Sequence, residues 1–394
     1  MRTQTEGDQI VVFPVGRINN DNAREFEEET RKILSGNPGK QLVIDADELD
    51  YISSAGLRVL LKLTTETGSP VSVRNVGAEL YEIFDMTGFT QLLSVTKKMK
   101  EINVDGCEII GRGAYGTVYK IDADTIVKVY DSAETLPLIE TERKKAKKAF
   151  IKGIPTAISY DIVRVGDSYG SVFELLRADN LNDVIREEPE RADELMAKYV
   201  NMIKSVHKVE AESSEFPRAG KNFLKCLDEL GDVIPQDVSE GIRKLLNEMP
   251  EDNHIIHGDL QMKNVMFADE EPMLIDMESL STGDPVFDLQ SLFLCYCAYN
   301  EDEPDNTESF LGITRETAES IWKQILKLYF EGFSEEQIRK EEDRIRLLGY
   351  VGFLISVVLN GFTKPELREI RIAHAVEHMR ELLPKVNTFV ITKP

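Results

Sequence analysis

Two hydrophobic patterns divide this chain. In the first hundred residues, short apolar runs alternate with helical spacing. Gln9 to Ile18 reads as a strand, bounded by turn residues at Gly7–Asp8 and Asn19–Asp21. Asn22 to Leu34 has helical spacing with many outward acids. Gln41 to Asp45 is a short buried strand. Ala55 to Thr67 is a helix with Leu57, Leu60, Leu61 and Leu63 apolar, Val71 to Val73 another strand, and Ala78 to Leu93 another helix. This alternation predicts a small α/β domain with one sheet. Residues 98–105 form a polar connector, and the expected boundary lies near residue 101. Beyond it the pattern changes to strands around a glycine-rich turn (101–176) and then to a mainly helical tract (177–394).

The second region opens with Glu108-Ile109-Ile110-Gly111-Arg112-Gly113-Ala114-Tyr115-Gly116-Thr117-Val118-Tyr119-Lys120. Apolar and β-branched residues flank Gly111, Gly113 and Gly116. No helix pattern follows. Thr125 to Tyr130 is a further strand instead, which favours a phosphate-covering hairpin over a dinucleotide-binding strand-to-helix turn. Lys128 alternates with apolar neighbours, so its ammonium can reach inward to the phosphates of a nucleotide. The helical stretch Glu140 to Phe150 supplies an acid to hold that lysine. Glu142 is favoured over Glu140, the alternative being that both pair with nearby surface lysines. Ser171 to Leu176 reads as the last strand before a hinge, where backbone groups from Glu174 to Leu176 would meet adenine.

Farther along stands His257-Gly258-Asp259-Leu260-Gln261-Met262-Lys263-Asn264, followed by Leu274-Ile275-Asp276. These spacings suit phosphoryl transfer. Asp259 would orient an acceptor hydroxyl and take its proton. Asn264 and Asp276 would hold Mg²⁺ against the ATP phosphates, because so anionic a nucleotide must be neutralised. Lys263 reads as a solvated loop lysine with the alternative of a phosphate contact.

Together these residues resemble the aminoglycoside phosphotransferase/choline kinase family of the protein-kinase-like fold, over roughly residues 105–394. The resemblance implies a bilobal α+β domain with Asp259 as base and Asn264 and Asp276 as metal ligands. It also implies ATP contacts from Lys128 and the glycine loop. Gly283-Asp284-Pro285 and Phe287-Asp288-Leu289 look like the family's segment after the metal aspartate, with Asp288 bracing the loop.

Three features separate the chain from ordinary protein kinases. Residue 258 is Gly where those usually carry Arg. Gln261 replaces the lysine typical of serine/threonine kinases. Seven residues separate Asp276 from Asp284, too few for a long peptide-docking activation loop. The expected acceptor is therefore a hydroxylated small molecule.

Charge narrows the partners. The net charge is −23, from 47 Lys+Arg against 70 Asp+Glu. About −3 of it falls in residues 1–100 and about −20 in the rest. No basic face is available for nucleic acid. An acidic second lobe could draw in a cationic acceptor, and the run Asn300 to Glu308 is either a lip for it or a solvated loop.

In the first region the informative join is Leu49-Asp50-Tyr51-Ile52-Ser53-Ser54-Ala55-Gly56-Leu57-Arg58-Val59-Leu60-Leu61. With the opening strand and helix, it is similar to the STAS domain of anti-sigma-factor antagonists. That family phosphorylates a hydroxyl residue at the start of this helix, which breaks partner binding. Ser54 falls on such a position. Ser53 stands where the family usually has aspartate, and Ala55 replaces a second hydroxyl residue. A phosphate at a helix N-terminus meets free N–H donors, so the switch is physically permitted. The competing reading is that Ser54 or Ser53 is only the helix cap.

Other signals are weaker. Cys107, Cys226, Cys295 and Cys297 have neither disulfide nor metal spacing, and the last two read as core thiols. His374-Ala375-Val376-Glu377-His378 matches a zinc-peptidase pattern without a third ligand, and reads as two surface histidines one turn apart. Tyr350 to Leu359, the longest apolar stretch, is too short to span a bilayer and reads as a core helix. Without an export signal the cytosol is the expected location. Three function classes follow: an ATP- and Mg²⁺-dependent small-molecule phosphotransferase with a STAS regulatory or docking module, a protein kinase acting on a STAS serine such as Ser54, and a non-catalytic nucleotide sensor.

Overall fold

The computed structural model describes the chain except residues 114, 115, 133, 134, 177, 213, 269, 270, 393 and 394. Residues 1–105 with 162–168 form one compact unit, and 106–161 with 169–394 a second.

The first unit contains β1 (Arg2–Glu6), β2 (Gln9–Phe13), β3 (Gly16–Ile18), α1 (Ala23–Ser35), β4 (Gln41–Asp45), β5 (Leu49–Ile52), α2 (Ser54–Thr67), β6 (Ser72–Val76), α3 (Ala78–Met86) and β7 (Ser94–Lys97). Its five-stranded sheet runs β1-β2-β4-β6-β7, parallel except at β1. The apolar runs Ile10–Val12 and Leu42–Ile44 are buried, as central parallel strands require. Leu57, Leu60 and Leu63 put the apolar stripe of α2 into this core.

Three expectations for this unit need correction. The strand expected over 9–18 is two strands, because Pro14 has no amide to donate and Gly16 turns the chain at φ +74°. The separated β3 pairs with β5 as a two-stranded ribbon, so one sheet becomes a sheet and a ribbon. The helix expected over 78–93 stops at Met86, ahead of Gly88 at φ +76°.

Beyond residue 105 come β8 (Glu108–Gly113), β9 (Gly116–Lys120), β10 (Thr125–Tyr130), α4 (Leu136–Ile151), β11 (Asp161–Val165) and β12 (Ser168–Glu174), of which residues 162–168 are those counted with the first unit. The sheet order is β11-β12-β10-β9-β8. The helical part carries β13 (Asp179–Asn180), α5 (Leu181–Glu187), α6 (Ala192–Val206), α7 (Ala219–Leu230) and α8 (Gln236–Asn247). Next come β14 (Ile255–Ile256), β15 (Val265–Ala268), β16 (Glu271–Leu274), β17 (Ser281–Thr282) and α9 (Val286–Phe293). Last are α10 (Tyr299–Asp302), α11 (Asn306–Leu311), α12 (Arg315–Tyr329), α13 (Glu335–Leu354) and α14 (Arg368–Leu382). The core helix expected over 350–359 is α-helical to Leu354 and then widens into a π turn, Ile355–Leu359. Gly349 and Gly352 let α13 press against α9, since a Cβ on Gly349 would stand 2.6 Å from Phe293 Cδ1. No helix among the described residues is long and apolar enough to cross a membrane.

Candidate active site

The second unit brings most of the expected site residues together. The short pair β14–β17 delivers the chain to His257 and Gly258. Gly258 has φ +89°, and a Cβ there would lie 2.7 Å from Ser279 Cβ. Backbone conformation and space both demand glycine, which accounts physically for the missing arginine. The next residue, Asp259, accepts from Gln261 Nε2 at 3.0 Å and from Asn264 Nδ2 at 2.7 Å, both on Oδ2. Asn264 also donates to the Asp259 carbonyl at 3.0 Å, so both of these bonds use its amide nitrogen. Burial lifts the Asp259 carboxyl above its usual range. The bond from Gln261 opposes that rise, and the Asp276 charge adds to it.

Asp288 braces this turn. Its oxygens accept the His257 amide at 2.9 Å and the Gly258 amide at 2.5 Å, and His207 Nε2 lies 2.8 Å from Oδ2. Burial alone would raise this carboxyl, but the His207 bond and the remaining contacts hold it below the ordinary range.

Lys128 on β10 makes its ion pair with Asp276, Nζ to Oδ1 at 3.6 Å. Glu142 on α4 accepts from the Tyr130 hydroxyl at 3.1 Å. It acts on Lys128 as a nearby charge: burial would lower the ammonium, yet Glu142 and then Asp276 raise it well above its ordinary value. Asp276 has φ +64°, a left-handed backbone that aspartate tolerates better than most residues. Its buried Oδ1 has no hydrogen-bond donor among the described residues. Oxygens of Glu142, Asp276 and Glu278 lie within 4.8 Å of one another. The Asp276 Oδ1, ion-paired with Lys128 but without a hydrogen bond, stands beside two more acids and fits a hard divalent cation. Glu278 went unnoticed in the sequence, although its two-residue spacing from Asp276 was a usable signal. Partial burial, then the charges of Asp276 and Glu142, push its carboxyl up to about 7.

The three glycines lie on the β8–β9 hairpin, with Gly113 opposite Gly116; Ala114 and Tyr115 fall outside the described residues. Gly116 is demanded by the sheet, since a Cβ there would sit 2.1 Å from the Val129 carbonyl oxygen. Gly111 and Gly113 have ordinary space around them. At the end of β12, the Leu175 amide donates to Asp124 at 2.8 Å and is thus taken up by the sheet. Alternation along the antiparallel ladder turns the Glu174 backbone away from β10, and the Glu174 side chain accepts from Tyr160. Leu176 follows, half-buried.

The other expected features find their places as follows. Glu301 pairs with His378 at 3.2 Å, Asp302 with His374, and Glu303 with Lys364 and Arg371. The acidic run is therefore neither a solvated loop nor an open lip, since it begins and ends in helices and three of its acids face bases. The same pairs occupy the two histidines of the zinc-like pattern. Cys295 and Cys297 are half-buried in a π turn, and Cys295 donates weakly to Gln261 Oε1 at 3.7 Å. In the first unit, buried Ser53 is the helix cap, its oxygen accepting the Gly56 amide at 3.3 Å. Ser54 is exposed in the first turn of α2.

A model of the phosphotransferase enzyme family matches residues 106–318. The chain belongs to that family. A second model, of the MlaB STAS domain, matches residues 1–94. This phosphotransferase thus joins a STAS-like α/β region to a kinase-like fold, and its acceptor group is a hydroxyl. No curated protein matches it in sequence. Among solved structures it is similar to the ADP-bound aminoglycoside phosphotransferase APH(2'')-Ib, at 14% identity, 78% of this chain, 99% of that one and TM-score 0.48. It is also similar to APH(3'')-Id from Streptomyces rimosus, at 16% identity, 60% and 90% coverage and TM-score 0.40.

Proposed function

We propose that the protein transfers the γ-phosphate of ATP to a hydroxylated small molecule. The observation that carries this reading is the Asp259 carboxylate, oriented by Gln261 and Asn264 within one short turn. Lys128 and the Gly111–Gly116 hairpin would receive the phosphates. The Glu174 carbonyl and the Leu176 amide would meet adenine. Asn264 and Asp276, with Glu142 and Glu278 nearby, would hold Mg²⁺, which when bound neutralises phosphate charge. The acceptor oxygen bonds to the γ-phosphorus as the bond to the β,γ-bridging oxygen breaks. ADP leaves with that electron pair, and the hydroxyl proton passes to Asp259. The STAS-like unit would serve docking or regulation.

The test is Asp259→Ala, assayed for transfer and for binding of a fluorescent ATP analogue. Binding should persist and transfer should vanish. Normal turnover in the variant would exclude Asp259 as the base.

A second reading has one specific observation in its favour. Ser54 is exposed while the neighbouring cap is Ser53, so Ser54 can be phosphorylated without loss of the cap. Phosphosite mapping after incubation with Mg·ATP, with Asp259→Ala alongside, decides whether Ser54 is an acceptor. Phosphate on Ser54 that depends on Asp259 supports self-modification, and its absence returns the search to small molecules.

A further inference from the structure

The turn that presents Asp259 also presents a cation. Of Met262, Lys263 and Asn264, the outer two are buried and Lys263 alone is exposed. The Met262 amide donates to the Tyr296 hydroxyl at 3.2 Å, and Asn264 is tied to Asp259, so the backbone under Lys263 is fixed. The Lys263 ammonium lies 4.8 Å from the ring centroid of Phe310, which is 45% exposed on α11. That helix is fixed too. The Thr307 amide donates to Asn300 Oδ1 at 3.1 Å, and Asn182 donates to the Leu311 carbonyl. A lysine and a ring are therefore both mounted on rigid backbone, with the lysine four residues from Asp259. Asp259 and Lys263 also act in opposite directions on the same Cys295 thiol, so they flank one neighbourhood.

Part of the surrounding acidity is neutralised by bases. Glu301, Asp302 and Glu303 are engaged with bases on or before α14, which removes much of the attraction for a cationic acceptor. The run's other two acids, Asp305 and Glu308, are exposed. No carboxylate pairs with Lys263 among the described residues, although the chain has 70 acids against 47 bases. A cation left open beside a proton acceptor is suited to a charge-assisted bond from a ligand. The ring beneath it supplies an apolar face and a weak cation–π hold on the ammonium.

We propose that Lys263 and Phe310 form an acceptor subsite for an anionic hydroxylated small molecule, a hydroxy acid or a sugar phosphate. The ammonium pairs with the anion and thereby sets a hydroxyl at Asp259. This narrows the acceptor class within the phosphotransferase reading and rests on it.

The experiment offers Mg·ATP with four size-matched acceptor sets: hydroxy carboxylates, sugar phosphates, neutral sugars and amino sugars. Wild type, Lys263→Met, Lys263→Glu and Phe310→Ala are compared, and binding of a fluorescent ATP analogue is measured in parallel. Wild type should phosphorylate an anionic set, and whether carboxylate or phosphate works identifies the anion. Lys263→Met should raise that acceptor's KM about tenfold or more with a smaller effect on kcat, and Lys263→Glu should raise it further. Phe310→Ala should raise it less. ATP-analogue binding should not move. Preferred turnover of neutral or amino sugars, or an unchanged KM in Lys263→Met, overturns this inference and leaves the phosphotransferase reading standing. If no set is phosphorylated while the ATP analogue still binds, this inference falls and the acceptor lies outside these four sets.

Discussion

Asp288 holds Gly258 in place: its Oδ1 accepts the Gly258 amide at 2.5 Å, from thirty residues farther along the chain. Its Oδ2 serves the His257 amide and His207 at once. Replacing the carboxylate by an amide turns one of its oxygens into an NH2 donor, which then faces either the Gly258 amide or the His257 and His207 donors. Asp288→Asn should therefore cost about 2–4 kcal/mol of stability, the usual consequence of breaking a buried charged network. Denaturant unfolding measures it. A loss below about 0.5 kcal/mol would mean that the turn is held by other contacts.

Among the described residues Gln261 hydrogen-bonds Asp259 and no other acid of the site. Its Nε2 keeps one carboxylate oxygen oriented, and its Oε1 takes the Cys295 thiol. Gln261→Ala should lower kcat by roughly ten- to a hundredfold, within the range of general-base effects, with little change in the KM for ATP. Steady-state kinetics separate the two. A change confined to ATP KM would relocate Gln261 to the nucleotide side.

Tyr130 links the lysine strand to α4. Its hydroxyl donates to Glu142 and lies 3.4 Å from Ser171 Oγ. Lys128 Nζ lies 5.3 Å from its ring centroid. Burial raises the Glu142 carboxyl, and Lys128 and Tyr130 are among the groups that oppose the rise. Tyr130→Phe removes the hydroxyl and keeps the packing. The expected result is a several-fold weaker affinity for Mg·ATP, read by titration of an ATP analogue, with an unchanged melting temperature. Equal affinity would show that Glu142 needs no such support.

Much of this was legible from residues alone. Lys128, Asp259, Asn264 and Asp276 announce themselves because their chemistry fixes both residue type and spacing. Glu278 and Tyr130 do not, since each becomes meaningful only when strands and turns converge. The strand β1 was missed because Arg2 to Glu6 form a mostly exposed edge with no apolar alternation. The acidic run was misread for a related reason. Charges along a sequence do not disclose partners about seventy to eighty residues away, and His374, His378 and Arg371 stand at that distance from Asp302, Glu301 and Glu303.

Gly56 is the most closely packed glycine of the first unit. A Cβ there would lie 2.7 Å from both Ile18 Cγ2 and Ile52 Cγ1, where α2 crosses the β3–β5 ribbon. Helix propensity alone would favour alanine by roughly 1 kcal/mol. Overpacking costs about 1–3 kcal/mol and opposes it. Since both contacts are shorter than real Cβ atoms tolerate, the clash should win. Gly56→Ala should destabilise the protein by about 1–2 kcal/mol, measured by denaturant unfolding. A more stable variant would show that the two isoleucines give way freely.

His378 gives the fold a pH signature. The bond from Glu301 raises its pKa above the ordinary value, with burial opposing, and Glu301 itself is held below its usual range. A raised folded-state pKa means that the folded protein binds the proton more tightly. His378's contribution is therefore complete below its unfolded value, about 6.5, and disappears as pH climbs through the folded one. Glu301 contributes above its own unfolded value and is lost as pH falls through its depressed one. The pair acts fully between these limits, and as a partly exposed pair it is worth about 1 kcal/mol or less. His378→Gln also removes the stacking on Tyr350 at 4.6 Å, a loss that does not vary with pH. The stability gap between wild type and variant should be widest near pH 5–6 and narrow to that constant part above about pH 8. A gap that stays flat across this range would show that His378 contributes packing and no charge.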